Sequence, residues 1–138
     1  MASVQIVTDS SAGLPQSVAE AHDIRVVPLS VSFGDEHYTD GLDLGPGEFY
    51  QKLQGSSVLP RTSQPAPGQF ADVYREALAN GRQVLSIHIS SKLSGTYQAA
   101  CLAAEMVDSD NIVVIDSLTV SMGIGLLALA AAKHNGSL

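Results

Sequence analysis

The chain has 138 residues, 45% of them hydrophobic and only 5% aromatic, with no tryptophan. That suffices for one domain with an aliphatic core of Val, Ile, Leu and Ala, and it excludes a disordered tail. Seven basic against 14 acidic residues give a net charge of −7, which argues against nucleic acid and against electrostatic docking on anionic lipid, since both need clustered Lys and Arg.

A single cysteine, Cys101, cannot form an internal disulfide or a zinc cluster. The start "MASVQIVTDSS" lacks a basic segment followed by an apolar one. The longest apolar run, Met122 to Ala132, is 11 residues with two glycines, too short to span a bilayer. The expectation is a soluble cytoplasmic protein without stable membrane insertion.

Val4 and Ile6 open a short strand that ends at "TDSS" (Thr8–Ser11). Pro15 suits a first helical position, and a short helix to about His22 follows. Val27, Leu29, Val31 and Phe33 alternate with Pro28, Ser30 and Ser32. This spacing predicts one strand, with Pro28 placing it at a sheet edge. "GDEHYTDG" reads as a turn or hairpin, "LGPGEFYQKLQG" as a short helix and "VLPRTSQPAPG" as a loop. Phe70, Val73, Tyr74, Ala77 and Leu78 form the apolar stripe of an amphipathic helix that Asn80-Gly81 ends.

Leu85, Ile87 and Ile89 predict a strand. Thr96, Ala99, Ala100, Ala103, Ala104 and Val107 give a helix with a small-residue stripe, fit for close packing on a sheet. "NIVVIDS" has the continuous apolar character of a strand buried on both faces of a parallel sheet. A last helix runs from about Thr119 to His134, with Lys133 and His134 in its final turn and Asn135-Gly136 as its cap. It is apolar nearly all round and calls for cover from a dimer partner or a second domain. The alternation predicts an α/β fold, an open and mostly parallel sheet with helices on both faces.

Open parallel sheets bind ligands beyond the carboxyl ends of their strands. Those ends carry Asp9, Ser10 and Ser11, then Ser90 and Ser91 leading to Ser94, then Asp116 and Ser117. "RTSQP" (Arg61–Pro65) precedes a helix. Hydroxyls, two aspartates and helix N-termini would converge on one edge, ready for an anion. Capping or turn roles alone would explain Ser94, Ser117, Asp9 and Asp116, and they explain Thr62 and Ser63 as well as a ligand does. His88 lies on the less apolar side of its strand, which fits a hydrogen-bonded structural histidine better than a general base. His22, His37 and His134 read as surface residues, and Cys101 as a small core residue. No GxSxG, GxxxxGK[ST] or GxGxxG motif is present, no His pair has metal-ligand spacing, and no Ser–His–Asp order stands out. The pattern suits binding better than catalysis.

"IVTDSSAGLP", "DGLDL" before "EFYQKL", "PRTSQPAPGQF", "ISSKLSGTYQAA" and "VVIDSLTVSMGIG" occur in that order over nearly the whole chain. Together they closely resemble the N-terminal half of DegV-family proteins, the bacterial fatty-acid-binding proteins. The resemblance implies that residues 1–138 are the Rossmann-like N-terminal α/β domain, with the family's second, C-terminal domain absent from this chain. It implies a long-chain fatty acid as ligand, with its acyl chain in an apolar tunnel, and no cofactor or metal. It carries over the carboxylate-binding hydroxyls onto Thr62 and Ser94. Ser63, Gly95, Thr96, Asp9 and Ser10 are the neighbouring candidates. Some family members present the acid to a separate fatty acid kinase for acyl phosphate and phospholipid synthesis, so the chemistry would belong to the partner. The family's second domain adds an arginine and a histidine to the site, so this chain alone is expected to bind weakly unless it forms a homodimer. Two alternatives stand beside this reading. One is an enzyme acting on a small acyl or phosphoryl substrate, with Asp9 or Asp116 as acid–base. The other is a structural module that dimerises through its last helix.

Overall fold

The computed structural model describes residues 4–40 and 42–135. Four parallel strands form the main sheet: β1 (Val4–Asp9), β2 (Ile24–Val27), β6 (Gln83–His88) and β7 (Ile112–Asp116), in the order β2-β1-β6-β7. Helices α1 (Gln16–Ala21) and α5 (Met122–His134) cover one face, and α3 (Pro67–Ala79) and α4 (Thr96–Val107) cover the other. The expected α/β class and helix placement are therefore observed.

The register follows from strand alternation, which sends successive side chains to opposite faces. Ile6, Leu85 and Ile87 turn towards α5, where they meet Ile124 and Ala128. Val7, Val84 and Ile112 turn the other way, onto Phe70, Tyr74 and the alanine stripe of α4. Ala99, Ala100, Ala103 and Ala104 are all buried there, so the small-residue stripe serves close helix–sheet approach as its spacing predicts. Glycine does the same on the opposite face. A Cβ on Gly125 would lie 2.8 Å from the carbonyl oxygen of Ala12, so only glycine lets α5 dock against the 3-10 turn Ser10–Ala12.

A second sheet was not foreseen. β3 (Ser30–Phe33), β4 (Glu36–Thr39) and β5 (Arg61–Ser63) form an antiparallel sheet in the order β4-β3-β5. With α2 (Pro46–Gly55) it makes a separate unit. Two expectations change here. The alternating run from Val27 to Phe33 is two strands in two different sheets, broken at Pro28-Leu29, because Pro28 has no N–H for a ladder. Pro28 does follow an edge strand, β2. The proline-rich segment read as a loop contains β5, whose three residues pair with β3 between the prolines at 60 and 65. "GDEHYTDG" contains the turn of the β3–β4 hairpin, at Gly34 with φ 63°, and strand β4. Gly41 at its end lies outside the described residues.

Further expectations need correction. The "NIVVIDS" strand is parallel but sits at the sheet edge, with Val113 56% and Ile115 38% exposed on the α5 side. Apolar character alone does not place a strand in the middle. The last helix starts at Met122 rather than Thr119, and Ser117 does not cap it; Ser121 occupies that position at φ 58°. Asn135 has extended backbone at the helix end, and the Gly136 part of the expected cap lies outside the described residues. Leu126 and Leu127 on α5 are exposed, in keeping with its all-round apolar sequence. Among the described residues no helix is long and apolar enough to cross a membrane. Cys101 is half-buried rather than in the core.

Candidate functional site

Because the main sheet is parallel, β1, β6 and β7 all end on one edge, at Asp9, His88 and Asp116. The turns that follow bring the candidate hydroxyls together there. Asp116 is held within this edge: its carboxylate accepts hydrogen bonds from the Ser91 hydroxyl at 2.5 Å and N–H at 3.2 Å, and from the Leu118 N–H at 3.0 Å. The Ser91 hydrogen bond is the main cause of an Asp116 pKa lowered from its ordinary value. Asp116 thus organises the β6 and β7 turns and has no proton to deliver near neutral pH. Ser117 makes a local turn, its hydroxyl oxygen accepting the Thr119 N–H.

The "LSGT" corner is a turn leading into α4. The Ser94 hydroxyl oxygen accepts the Thr96 N–H at 3.2 Å and pairs with the Thr96 hydroxyl at 2.9 Å. Thr96 is fully buried, which keeps it from the cleft and confines it to supporting Ser94. Gly95 is the N-cap and makes no side-chain cap bond. The side-chain amide of Gln64, just after β5, occupies the space that a Cβ on Gly95 would take. The end of β5 therefore lies against the Ser94–Gly95 corner.

A cleft of about 870 Å³ opens between the main sheet and the antiparallel unit, within the range of small-ligand sites. Its walls are largely apolar: Leu14, Ala19, Ile24 and Val26 on one side, Val31, Leu44 and Phe49 on the other. Polar lining comes from Asp9, Ser10 and Thr62, and from Gln16, Glu20, Arg25 and Asp40. Strand alternation separates two of the predicted site residues. Thr62 pairs with Val31, and both line the cleft, whereas Ser63 pairs with Ser30 and is not part of the lining. Ser94 and Gly95 also lie outside the lining and meet the Thr62 segment through Gln64.

Asp9 is fully buried, although it borders the cleft. Four donors converge on its carboxylate. The Ser11 N–H (2.9 Å) and hydroxyl bond Oδ1; His88 Nδ1 (2.8 Å) and the Ile89 N–H (3.4 Å) bond Oδ2. Burial pushes the carboxyl pKa up, but hydrogen bonds from His88 and Ser11 outweigh it and hold Asp9 below the ordinary aspartate value. With its acceptor capacity taken, this carboxylate is poorly suited to act as a base in the cleft. His88 Nε2 lies 2.5 Å from Ser86 Oγ, which accepts the Tyr74 hydroxyl at 2.7 Å. Burial pushes the Tyr74 hydroxyl pKa well up. His88 is a hydrogen-bonded buried histidine, as its strand position suggests. The Asp9–His88–Ser86 alignment had no linear signal, since it joins residues 79 positions apart through the β1–β6 pairing. Ser86 and His88 on one face of a strand were the only trace of it. Both are sealed from solvent, which denies a substrate access to Ser86.

The family model "Uncharacterised protein, DegV family" matches residues 3–136. The chain belongs to the DegV family. It is 43% identical over 133 residues to a DegV domain-containing protein of Clostridium perfringens, covering 96% of this chain and 48% of that one. Among solved structures it resembles a fatty-acid-binding DegV-family protein from Thermus thermophilus, with 42% identity and a TM-score of 0.87 over 97% of this chain and 47% of that one. It also resembles a stearic-acid-binding protein from Eubacterium ventriosum, with 36% identity and a TM-score of 0.89 over 95% of this chain and 47% of that one. The chain thus spans about half the length of these relatives.

Proposed function

We propose that this DegV-family chain binds a long-chain fatty acid in the cleft between its two sheets. The acyl chain lies along the apolar walls, and the Thr62 and Ser94 hydroxyls hold the carboxylate, with Ser10 in the lining and Gly95 next to Ser94; Ser63, turned away by its pairing with Ser30, takes no direct part. The observation that carries this reading is the cleft itself, mostly apolar with Thr62 and Ser10 in its lining, in a fold shared with proteins named for fatty-acid binding. Burying an acyl chain gains about 0.8 kcal/mol per methylene. Neutral hydroxyls add direction without the desolvation cost of a buried ion pair.

In a protein of the relatives' length, residues 1–138 form the N-terminal α/β domain and a second domain completes the enclosure. The role is carriage rather than catalysis: the bound acid is presented in the cytoplasm to a fatty acid kinase that makes the acyl phosphate. The saturated Asp9 carboxylate and the turn-bound Asp116 favour this over acid–base chemistry at either aspartate.

Mass spectrometry of organic extracts and native mass of the purified chain test the reading. Uptake of added stearate is expected, weaker than in a protein of the relatives' length, with retention reduced further in Thr62→Ala and Ser94→Ala. A chain that takes up no added oleate or stearate, or variants that retain either as well as wild type, would overturn it.

A further inference from the structure

We propose that His88, Ser86 and Tyr74 are positioning residues that act through Asp9 to set the Ser10 corner for an anionic head group. This rests on the fatty-acid reading above. Tyr74, Ser86, His88 and Asp9 are all fully buried in the layer between the main sheet and α3, where the Phe70 ring meets the His88 ring edge-on at 5.0 Å. Their neighbours are Val7, Val84 and alanines. Packing alone gives no reason for four polar side chains there, because apolar replacements of matching shape are often neutral or stabilising.

Hydrogen-bond accounting gives the line a direction. Tyr74 donates to Ser86 Oγ, Ser86 donates to His88 Nε2, and His88 Nδ1–H donates to Asp9 Oδ2. This order of donors, assigned from the network, gives every hydrogen one acceptor. The line ends on a carboxylate that borders the cleft. With His88 and the Ile89 N–H on one oxygen and Ser11 on the other, the Asp9 carboxylate is held in one orientation at the edge of the cleft. The same bonds hold the 3-10 turn that carries Ser10. Ser10 Oγ accepts the Leu29 N–H at 3.0 Å, which leaves its own hydrogen to donate into the cleft it lines. Once released, Asp9 would present its charge to the bound carboxylate and let the Ser10 turn drift.

The test is the ratio of affinities for stearic acid and for octadecanol, its uncharged counterpart of equal chain length. It is measured on the 138-residue chain beside the urea midpoint. A purely structural role would weaken both lipids together and leave the ratio unchanged. Wild type is expected to prefer the acid. His88→Leu is expected to cut that preference about tenfold, the loss typical of a charge-assisted hydrogen bond. Ser86→Ala is expected to lower it as well, and it carries the test if His88→Leu does not fold. His88→Asn retains a side-chain N–H near the Nδ1 position and is expected to restore the preference even where stability falls. An unchanged ratio in His88→Leu and Ser86→Ala, or a wild type that binds both lipids equally, would overturn the proposal alone. A wild type that takes up neither lipid would overturn the fatty-acid reading and this proposal with it.

Discussion

The two walls of the cleft are built differently. Among the described residues, the main sheet and its helices hold three of the four hydrophobic clusters, rich in fully buried side chains, with a satisfied polar line running through one layer. The antiparallel unit holds the fourth: Val31, Phe33 and Leu44, with Tyr38 and Phe49 packed on it. Its helix α2 buries no residue fully, and Lys52 lies over the Phe33 and Tyr38 rings while pairing with exposed Glu36. Two short connections, each containing a proline, join the unit to the body at Pro28-Leu29 and at Gln64–Ala66. One wall carries most of the buried apolar side chains, and closely packed interiors of this kind resist opening. The other is small, with few buried apolar groups to resist opening.

The largest effect expected to sharpen this contrast is at Phe70, fully buried in the body. Phe70→Ala is expected to cost about 3–5 kcal/mol in urea unfolding. Half-buried Phe49 in the cover should cost clearly less when truncated, and Phe49→Ala should still reduce lipid uptake. Equal losses in the two variants would mean that the two regions share one cooperative core. Next comes a pair of glycines. Gly125→Ala meets the Ala12 carbonyl and is expected to destabilise by about 1–3 kcal/mol. Gly47→Ala in α2 meets nothing within 4 Å and should stabilise by up to about 1 kcal/mol through helix propensity. Thermal melts of both variants check the pair.

Acid pH separates the regions by the environment of their carboxylates. Asp9 has a folded pKa below its unfolded value, so its stabilising contribution is full above the ordinary aspartate value near 4 and is lost as pH falls through the lower folded value. Asp9→Asn should therefore flatten the acid limb of a stability–pH curve. In the cover, Glu36 is also lowered, first by the Lys52 hydrogen bond and then by Tyr38. It is exposed, so Glu36→Gln should matter little and its effect should fade with added salt. The mildest test uses no substitution: amides of β3–β5 are expected to exchange with deuterium faster than those of β1 and β6.

Much of the body was legible along the chain. The α3 stripe at Phe70, Tyr74 and Ala77 and the α4 stripe at Ala99, Ala100 and Ala103 repeat at the helical period, and their buried faces follow from that period alone. The cover was less legible. Its strands are three or four residues long and β5 is bracketed by prolines, so they exist as strands through pairing with β3 rather than through local preference. The candidate site divides the same way. Hydroxyls at Ser10 and Ser94 could be named from strand ends and turns, because those positions follow from turn and helix boundaries, whereas Thr62 was read in a loop, drew its role from the family resemblance, and lies in the middle of β5.

Which of these residues face a cleft depended on three-dimensional pairing. Val31 opposite Thr62 turns Thr62 inward and Ser63 away. Thr96 withdraws into the core beneath Ser94. The β1–β6 pairing aligns Asp9, His88 and Ser86 across 79 positions. By itself the sequence determined the α/β class, the buried helix faces and the stock of hydroxyls, since all of these follow from local period and local turn chemistry. Only the tertiary structure decided the edge position of β7, the second sheet and the buried polar line, because strand order and partner choice are set by contacts between distant segments that no local pattern encodes.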